Sequence, residues 1–163
     1  MKDESANTIV PPKEGKVTPS ILDAFGLLKS PKEDQKIVGA TKIISILQGN
    51  ENEKEKQYAL KRLVRSVGAN HPDIRTGYYS TLTNMLSQFD ISLEQVLGLV
   101  KTELHANGSS KSEVGDVALG QILICGAVFR SGLMLKSSSE EQAEVVKLLF
   151  TASTKKSYLN IVA

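Results

Sequence analysis

The sequence predicts an all-α fold in which antiparallel helix pairs stack into an open row. Three observations predict it. From Thr18 onward, apolar residues recur with a helical period in nearly every segment. Short capping and turn motifs separate those segments. Nowhere does a sustained apolar–polar alternation lead into a hairpin turn. The 163 residues are 40% hydrophobic but only 5% aromatic, with no Trp, so the core they build is aliphatic.

The elements follow in order. Residues 1–17 carry mixed charges, Pro11-Pro12 and Gly15, and are expected to form a disordered lead-in. Thr18-Pro19 resembles an N-cap with Pro at the first helical position, opening a short helix through Leu28. Ser30-Pro31-Lys32-Glu33 offers a second start, with Glu33 placed to reach back to the cap. Ile37, Ala40, Ile44 and Leu47 then share one helical face, which Gly49 ends. Asn52 and Glu55 open a third helix with Leu60, Leu63, Val64 and Val67 as its stripe, closed by Gly68. Asn70-His71-Pro72-Asp73 begins a fourth, whose wide face is Tyr78, Tyr79, Leu82, Met85, Leu86 and Phe89. Ser92 and Gln95 form a capping box ahead of Leu93, Val96, Leu97, Val100 and Leu104. The composition of Ala106–Ser110 predicts a flexible loop. Val117–Phe129 is apolar on most sides and belongs in the centre, with Gly115, Gly120 and Gly126 allowing close helix approach. Ser139 and Gln142 are expected to cap a seventh helix that turns Val145, Val146, Leu148 and Leu149 inward, and residues 155–163 to begin an eighth.

Helices joined by short turns suit a bundle or a solenoid. The apolar pattern is unfinished at Tyr158–Ala163, as in an N-terminal fragment of a longer chain or a domain whose last helix needs a partner surface, and this favours the solenoid: an ARM/HEAT-like α-solenoid segment over residues 18–163, expected to be the N-terminal fragment of a longer array. The expected pairs are 31–48 with 52–67, 73–89 with 92–104, and 116–131 with 139–153. An apolar end of this kind also predicts self-association of the fragment through residues 139–163. The start of the chain lacks the apolar run of a secretory signal. Val117–Phe129 is too short to span a bilayer, so no membrane association is expected.

The formal charge is +2, from 20 Lys and Arg against 18 Asp and Glu, which singles out no class of partner. His71 and His105 fall at helix ends, where a capping or solvated imidazole is expected rather than a catalytic one. Gly108-Ser109-Ser110-Lys111-Ser112 lacks the earlier Gly and the leading strand of a phosphate loop. Asn107-Gly108-Ser109 matches a glycosylation sequon but has no secretory signal to support it. Cys125 is the single cysteine and sits in the most apolar helix, so it reads as a small buried hydrophobe. Glu51, Glu53 and Glu55, like Glu140 and Glu141, lie at helix starts and complement the helix dipole. No catalytic, metal or cofactor residue is therefore expected. Lys61, Arg62, Arg65 and Arg75, with Lys54 and Lys56 nearby, form the densest basic zone and the candidate binding patch. Its competing reading is a solvated face whose long stems cover apolar surface.

The run Tyr58-Ala59-Leu60-Lys61-Arg62-Leu63-Val64-Arg65-Ser66-Val67-Gly68, continued by Arg75-Thr76-Gly77-Tyr78-Tyr79-Ser80-Thr81-Leu82, resembles a signature of the Myb-binding protein 1A or DNA polymerase V (polymerase phi) family. Phe25-Gly26-Leu27-Leu28-Lys29 and Ala40-Thr41-Lys42-Ile43-Ile44 resemble that family's opening helices, and the likeness covers Ile21 to Leu149. Gly77 and Tyr79 depart from its pattern. The resemblance implies a segment of a large helical-repeat protein of the nucleus and nucleolus. It implies a non-enzymatic scaffold and co-regulator in ribosomal RNA gene transcription and ribosome biogenesis. The implied partners are transcription factors or ribosome-biogenesis proteins, with ribosomal RNA or its genes as a further contact. It carries over no binding residue. A generic helical-repeat adaptor or transport-receptor fragment is the alternative, and a nucleic-acid polymerase follows only from the family's name, since no carboxylate set for catalytic metals is present.

Overall fold

The computed structural model describes residues 18–49, 51–106, 108 and 110–162. The expected lead-in, 1–17, lies outside them, as do Asn107 and Ser109 of the expected loop. Among the described residues there are seven α-helices and no strand: α1 (Pro19–Leu27), α2 (Glu33–Gln48), α3 (Glu53–Val67), α4 (Pro72–Gln88), α5 (Leu93–Glu103), α6 (Lys111–Arg130) and α7 (Ser139–Ser153). Short 3₁₀ turns cover Leu133–Lys136 and Ser157–Ile161.

Where the caps are unambiguous, the boundaries follow them. The Asn52 side chain accepts from the backbone N–H groups of Lys54 and Glu55. Ser92 and Gln95 complete a reciprocal capping box. Two starts are displaced. α2 begins at Glu33, after Pro31, because Ser30 turns its hydroxyl to Gln35 Oε1 (2.5 Å) and accepts from Lys32 N, while Glu33 pairs with Lys36 at 2.8 Å rather than reaching back. The α7 box is Ser138 with Glu141, one residue before the expected Ser139 and Gln142. Gln142 is drawn away because its amide donates to the carbonyls of Met134 and Ser137.

The helices form two rows. α2, α4 and α6 lie side by side, α3, α5 and α7 make the second row, and α1 packs on α2, α3 on α4 and α6 on α7. This is an α-solenoid-like stack of helix pairs. The pairing frame differs from the expected one: neither α2 with α3 nor α4 with α5 is a principal contact, whereas α6 with α7 is. The short α1 takes the place beside α2. A Cβ on Gly39 would come within 2.8 Å of Ala24 O and 2.9 Å of Leu27 Cβ, so a side chain there would hold the two helices apart.

That contact also rotates α2 from its expected face. Lys36, Gly39, Ile43, Ile44 and Leu47 are buried, while Ile37 is 65% exposed and Ala40 half-buried. Ile21, Phe25 and Leu28 of the first segment join Leu63, Val64, Tyr78, Leu82, Val96 and Ile124 in one core. α6 is the central helix: a Cβ on Gly120 would lie 2.7 Å from Gly68 Cα. By length and composition alone α6 could cross a membrane. Here it packs against α3, α4 and α7 with Gly115, Ala118, Ile122, Cys125 and Val128 buried, as a core helix does. Its last turn is less covered than expected, leaving Phe129 about half exposed at 47%. Gly132 (φ 78°) adopts the left-handed conformation that turns the chain out of α6.

On α7, Val145 is buried and Leu148 and Leu149 half-buried, but Val146 points outward, because only one stripe of the helix meets α6. In the tail, Ser157–Ile161 forms a 3₁₀ turn in place of the expected eighth α-helix. Leu159 is fully buried against Ala118, Ile122 and Ala152, which holds the tail back across α6 and α7.

Candidate interaction surface

The four residues of the basic zone do not form one free patch. Arg62 lies half-buried on α3, its guanidinium carbon 4.4 Å from the Phe25 ring centre and its Nη1 donating to Tyr58 Oη at 2.6 Å. Phe25 also meets Tyr58 edge-on (6.2 Å) and stacks on Tyr78 (6.0 Å), so Arg62 closes an aromatic cluster joining α1, α3 and α4. Arg75 is turned inward: its Nε donates to the Ala69 carbonyl and its Nη2 to Asp116 Oδ1 at 2.7 Å, which ties the α3–α4 turn to α6. Lys61 pairs with Glu103 of α5 at 3.1 Å while its side chain stays 57% exposed. Arg65 is exposed and has no ion pair among the described residues. Arg62 and Arg75 thus act as fasteners, and Lys61 and Arg65 face outward.

Glu55, expected only at a helix start, is 1% exposed and accepts from Thr18 N (2.9 Å) and Thr18 Oγ1 (2.7 Å), pinning the start of α1 to α3. His71 and His105 are at helix ends as expected. Cys125 is buried with its Sγ 3.7 Å from the Val145 carbonyl, and loss of hydration pushes its thiol up to about 11. No three His, Cys, Asp or Glu side chains converge to hold a metal among the described residues.

The surface the rows offer is grooved, and each groove has its own chemistry. Between α2 and α4 runs an uncharged channel: Thr41, Ser45, Gln48, Ser80, Asn84 and Gln88 flank Ile37, Ala40 and Ile44. Lys36 and Glu33 at its end neutralise one another. Between α3 and α5 runs an apolar channel floored by Tyr58, Leu60 and Leu99, with Lys54 and Lys61 on its α3 edge. Between α5 and α7 the walls are acidic, with Glu94, Glu140, Glu141 and Glu144, and Lys101 reaches Glu144 at 3.5 Å. The Glu141 carboxyl is held below the usual range, first by the backbone N–H of Ser138 and then by the Ser138 side chain. None of these grooves was visible in the sequence, because each takes its walls from helices separated along the chain.

Fold and surface together define a class: an α-solenoid-like segment that presents grooves between rigid helices. A model of the DNA polymerase phi family matches residues 58–163, beginning at the Tyr58 of the signature run, and the chain belongs to that family. It is 26% identical over 129 residues to Myb-binding protein 1A of Rattus norvegicus, covering 78% of this chain and 10% of that protein. It is 29% identical over 157 residues to the Myb-binding protein 1A-like protein of Danio rerio (88% and 12%). It is 29% identical over 146 residues to the rDNA transcriptional regulator pol5 of Schizosaccharomyces pombe (87% and 15%). The chain therefore spans 10–15% of the length of these relatives. No solved structure matches it.

Proposed function

We propose that this chain is a segment of a non-enzymatic nucleolar scaffold and co-regulator in ribosomal RNA gene transcription and ribosome biogenesis, acting by binding proteins. The observation that carries this reading is the similarity over most of the chain to relatives named for Myb binding and for rDNA transcriptional regulation. The architecture supports it physically. Paired helices hold groove walls rigid, so a partner binds without ordering the scaffold, which lowers the entropic cost of association. Transcription factors or ribosome-biogenesis proteins are the partners this reading implies.

Staining of the full-length protein tests the reading. Nucleolar signal that disperses when RNA polymerase I is inhibited is the expected result. A cytoplasmic or nuclear-envelope signal supports an adaptor or transport receptor instead. Metal-dependent nucleotide incorporation by the purified full-length protein contradicts the non-enzymatic role.

Nucleic-acid contact is a second element of the proposal, favoured by the outward Arg65 and Lys61. Charge reversal at Lys61 and Arg65 is expected to abolish salt-sensitive retention of ribosomal RNA, and retention that survives it removes this element. Self-association is a third. Val146 and Phe150 (68% exposed) sit one turn apart on α7, an apolar stripe that a second copy would cover. Sedimentation at high concentration should show dimers that Phe150→Glu dissolves. A chain that stays monomeric contradicts it.

A further inference from the structure

The α3–α5 groove has a shape and charge that select one kind of occupant. Lys54, Tyr58 and Lys61 are spaced i, i+4, i+7 on α3, and Gln95, Leu99 and Thr102 have the same spacing on α5. Each stripe is about 10 Å long at ~1.5 Å per residue. The open groove between the facing walls has a volume of about 620 Å³. That length matches two turns of a helix presenting residues i, i+4 and i+7. The floor of Tyr58, Leu60 and Leu99 is apolar, and the only uncharged side-chain donors and acceptors on the walls are those of Gln57, Gln95 and Thr102, with the Tyr58 hydroxyl already taken by Arg62. An extended segment finds few partners there for the peptide groups it turns to the floor, whereas a helix satisfies its own internally.

Gly98 adds an independent observation. It lies inside α5, where Gly is disfavoured relative to Ala. A Cβ there would meet nothing within 4 Å, unlike those at Gly39 or Gly120. Packing therefore gives no reason for a missing side chain at this position. Its absence lowers the α5 wall that this groove shares with the α5–α7 groove. The charge on the rim is one-signed: the lining includes Lys54 and Lys61 and no Asp or Glu. Glu103, the partner of Lys61, stands just outside with its own side chain only 14% exposed, and the ammonium of Lys61, 57% exposed, has donors left for a second carboxylate.

We infer that the α3–α5 groove is a docking site for an acidic amphipathic helix of a partner protein. Its apolar stripe lies on Tyr58, Leu60 and Leu99 beside the Gly98 notch, and its flanking carboxylates meet Lys54 and Lys61. This inference rests on the reading of the chain as a protein-binding scaffold and specifies which partner chemistry one surface takes.

Fluorescence anisotropy on the 163-residue chain tests it. The probes are two labelled helical peptides of about 14 residues with the same leucine stripe at i, i+4 and i+7, one flanked by Glu and one by Lys. The acidic probe should bind at least about tenfold more tightly, with affinity falling as salt rises. Gly98→Trp should weaken it about tenfold or more without lowering Tm, because the indole fills open space. Lys54→Glu with Lys61→Glu should transfer the preference to the basic probe. Equal binding of both probes, binding undiminished in Gly98→Trp, or displacement by a short single-stranded RNA that persists in Arg65→Glu, a residue outside the groove, overturns the inference. Staining of the full-length protein separates this failure from that of the parent reading. Nucleolar residence without peptide binding overturns the groove alone. Peptide binding by a protein absent from the nucleolus overturns the nucleolar role alone.

Discussion

The guanidinium of Arg62 lies over Phe25 and bonds Tyr58, which makes it part of the packing between α1 and α3. A cation on an aromatic face contributes about 0.5–2 kcal/mol, and the long stem adds buried area. Arg62→Ala should therefore destabilise the fold by about 1–2 kcal/mol in denaturant melts. A purely surface role predicts no change. The cationic residues were legible in the sequence as a group, because composition and spacing reveal charge density. Their division was not, since Arg62 and Arg75 find partners on α1 and α6 that no local pattern discloses. Cys125 was legible, because a lone thiol in an apolar helix has little alternative to burial. Its folded-state value of about 11 exceeds the ordinary 9.0, so the folded chain keeps the proton longer than the unfolded chain does. The stability this gives is fully present below pH 9 and is lost as pH rises through about 11. Denaturant midpoints should fall across that window, and Cys125→Ala should flatten the fall. Equal pH slopes for both proteins would contradict it.

At the scale of elements, caps and periodicity were sound guides wherever one choice dominated, as at Asn52 and at Ser92 with Gln95. They failed where the chemistry was degenerate. Ser137, Ser138 and Ser139 each have a Glu or Gln three residues on. Packing decides among them, because Ser137 donates to the Leu133 carbonyl and Gln142 to Met134. The expected face of α2 holds in its second half, where Ile44 and Leu47 are buried, but the contact with α1 buries Gly39 and Ile43 and leaves Ile37 exposed. Glycines make the contrast measurable. Gly120→Leu drives a side chain into the Gly68 backbone and should cost about 1–3 kcal/mol. Gly98→Ala enters open space in a helix and should stabilise by about 0.5–1 kcal/mol. Thermal melts of the two variants should move in opposite directions.

Across the whole molecule, the helical class was legible because period and capping are local, and the family was legible through the Tyr58–Gly68 run. The pairing frame was not, since it depends on which faces meet over long sequence separations. A net charge of +2 conceals a separation of sign: lysines border the α3–α5 groove and carboxylates line the α5–α7 groove. Neighbouring grooves of opposite character suit a scaffold that discriminates among partners by charge. The most direct measurement is pulse-labelling of precursor ribosomal RNA after rapid depletion of the full-length protein in cells. A scaffold and co-regulator of ribosomal RNA genes predicts that new precursor falls before messenger RNA synthesis changes. Precursor synthesis that continues undiminished after the protein is gone contradicts the account.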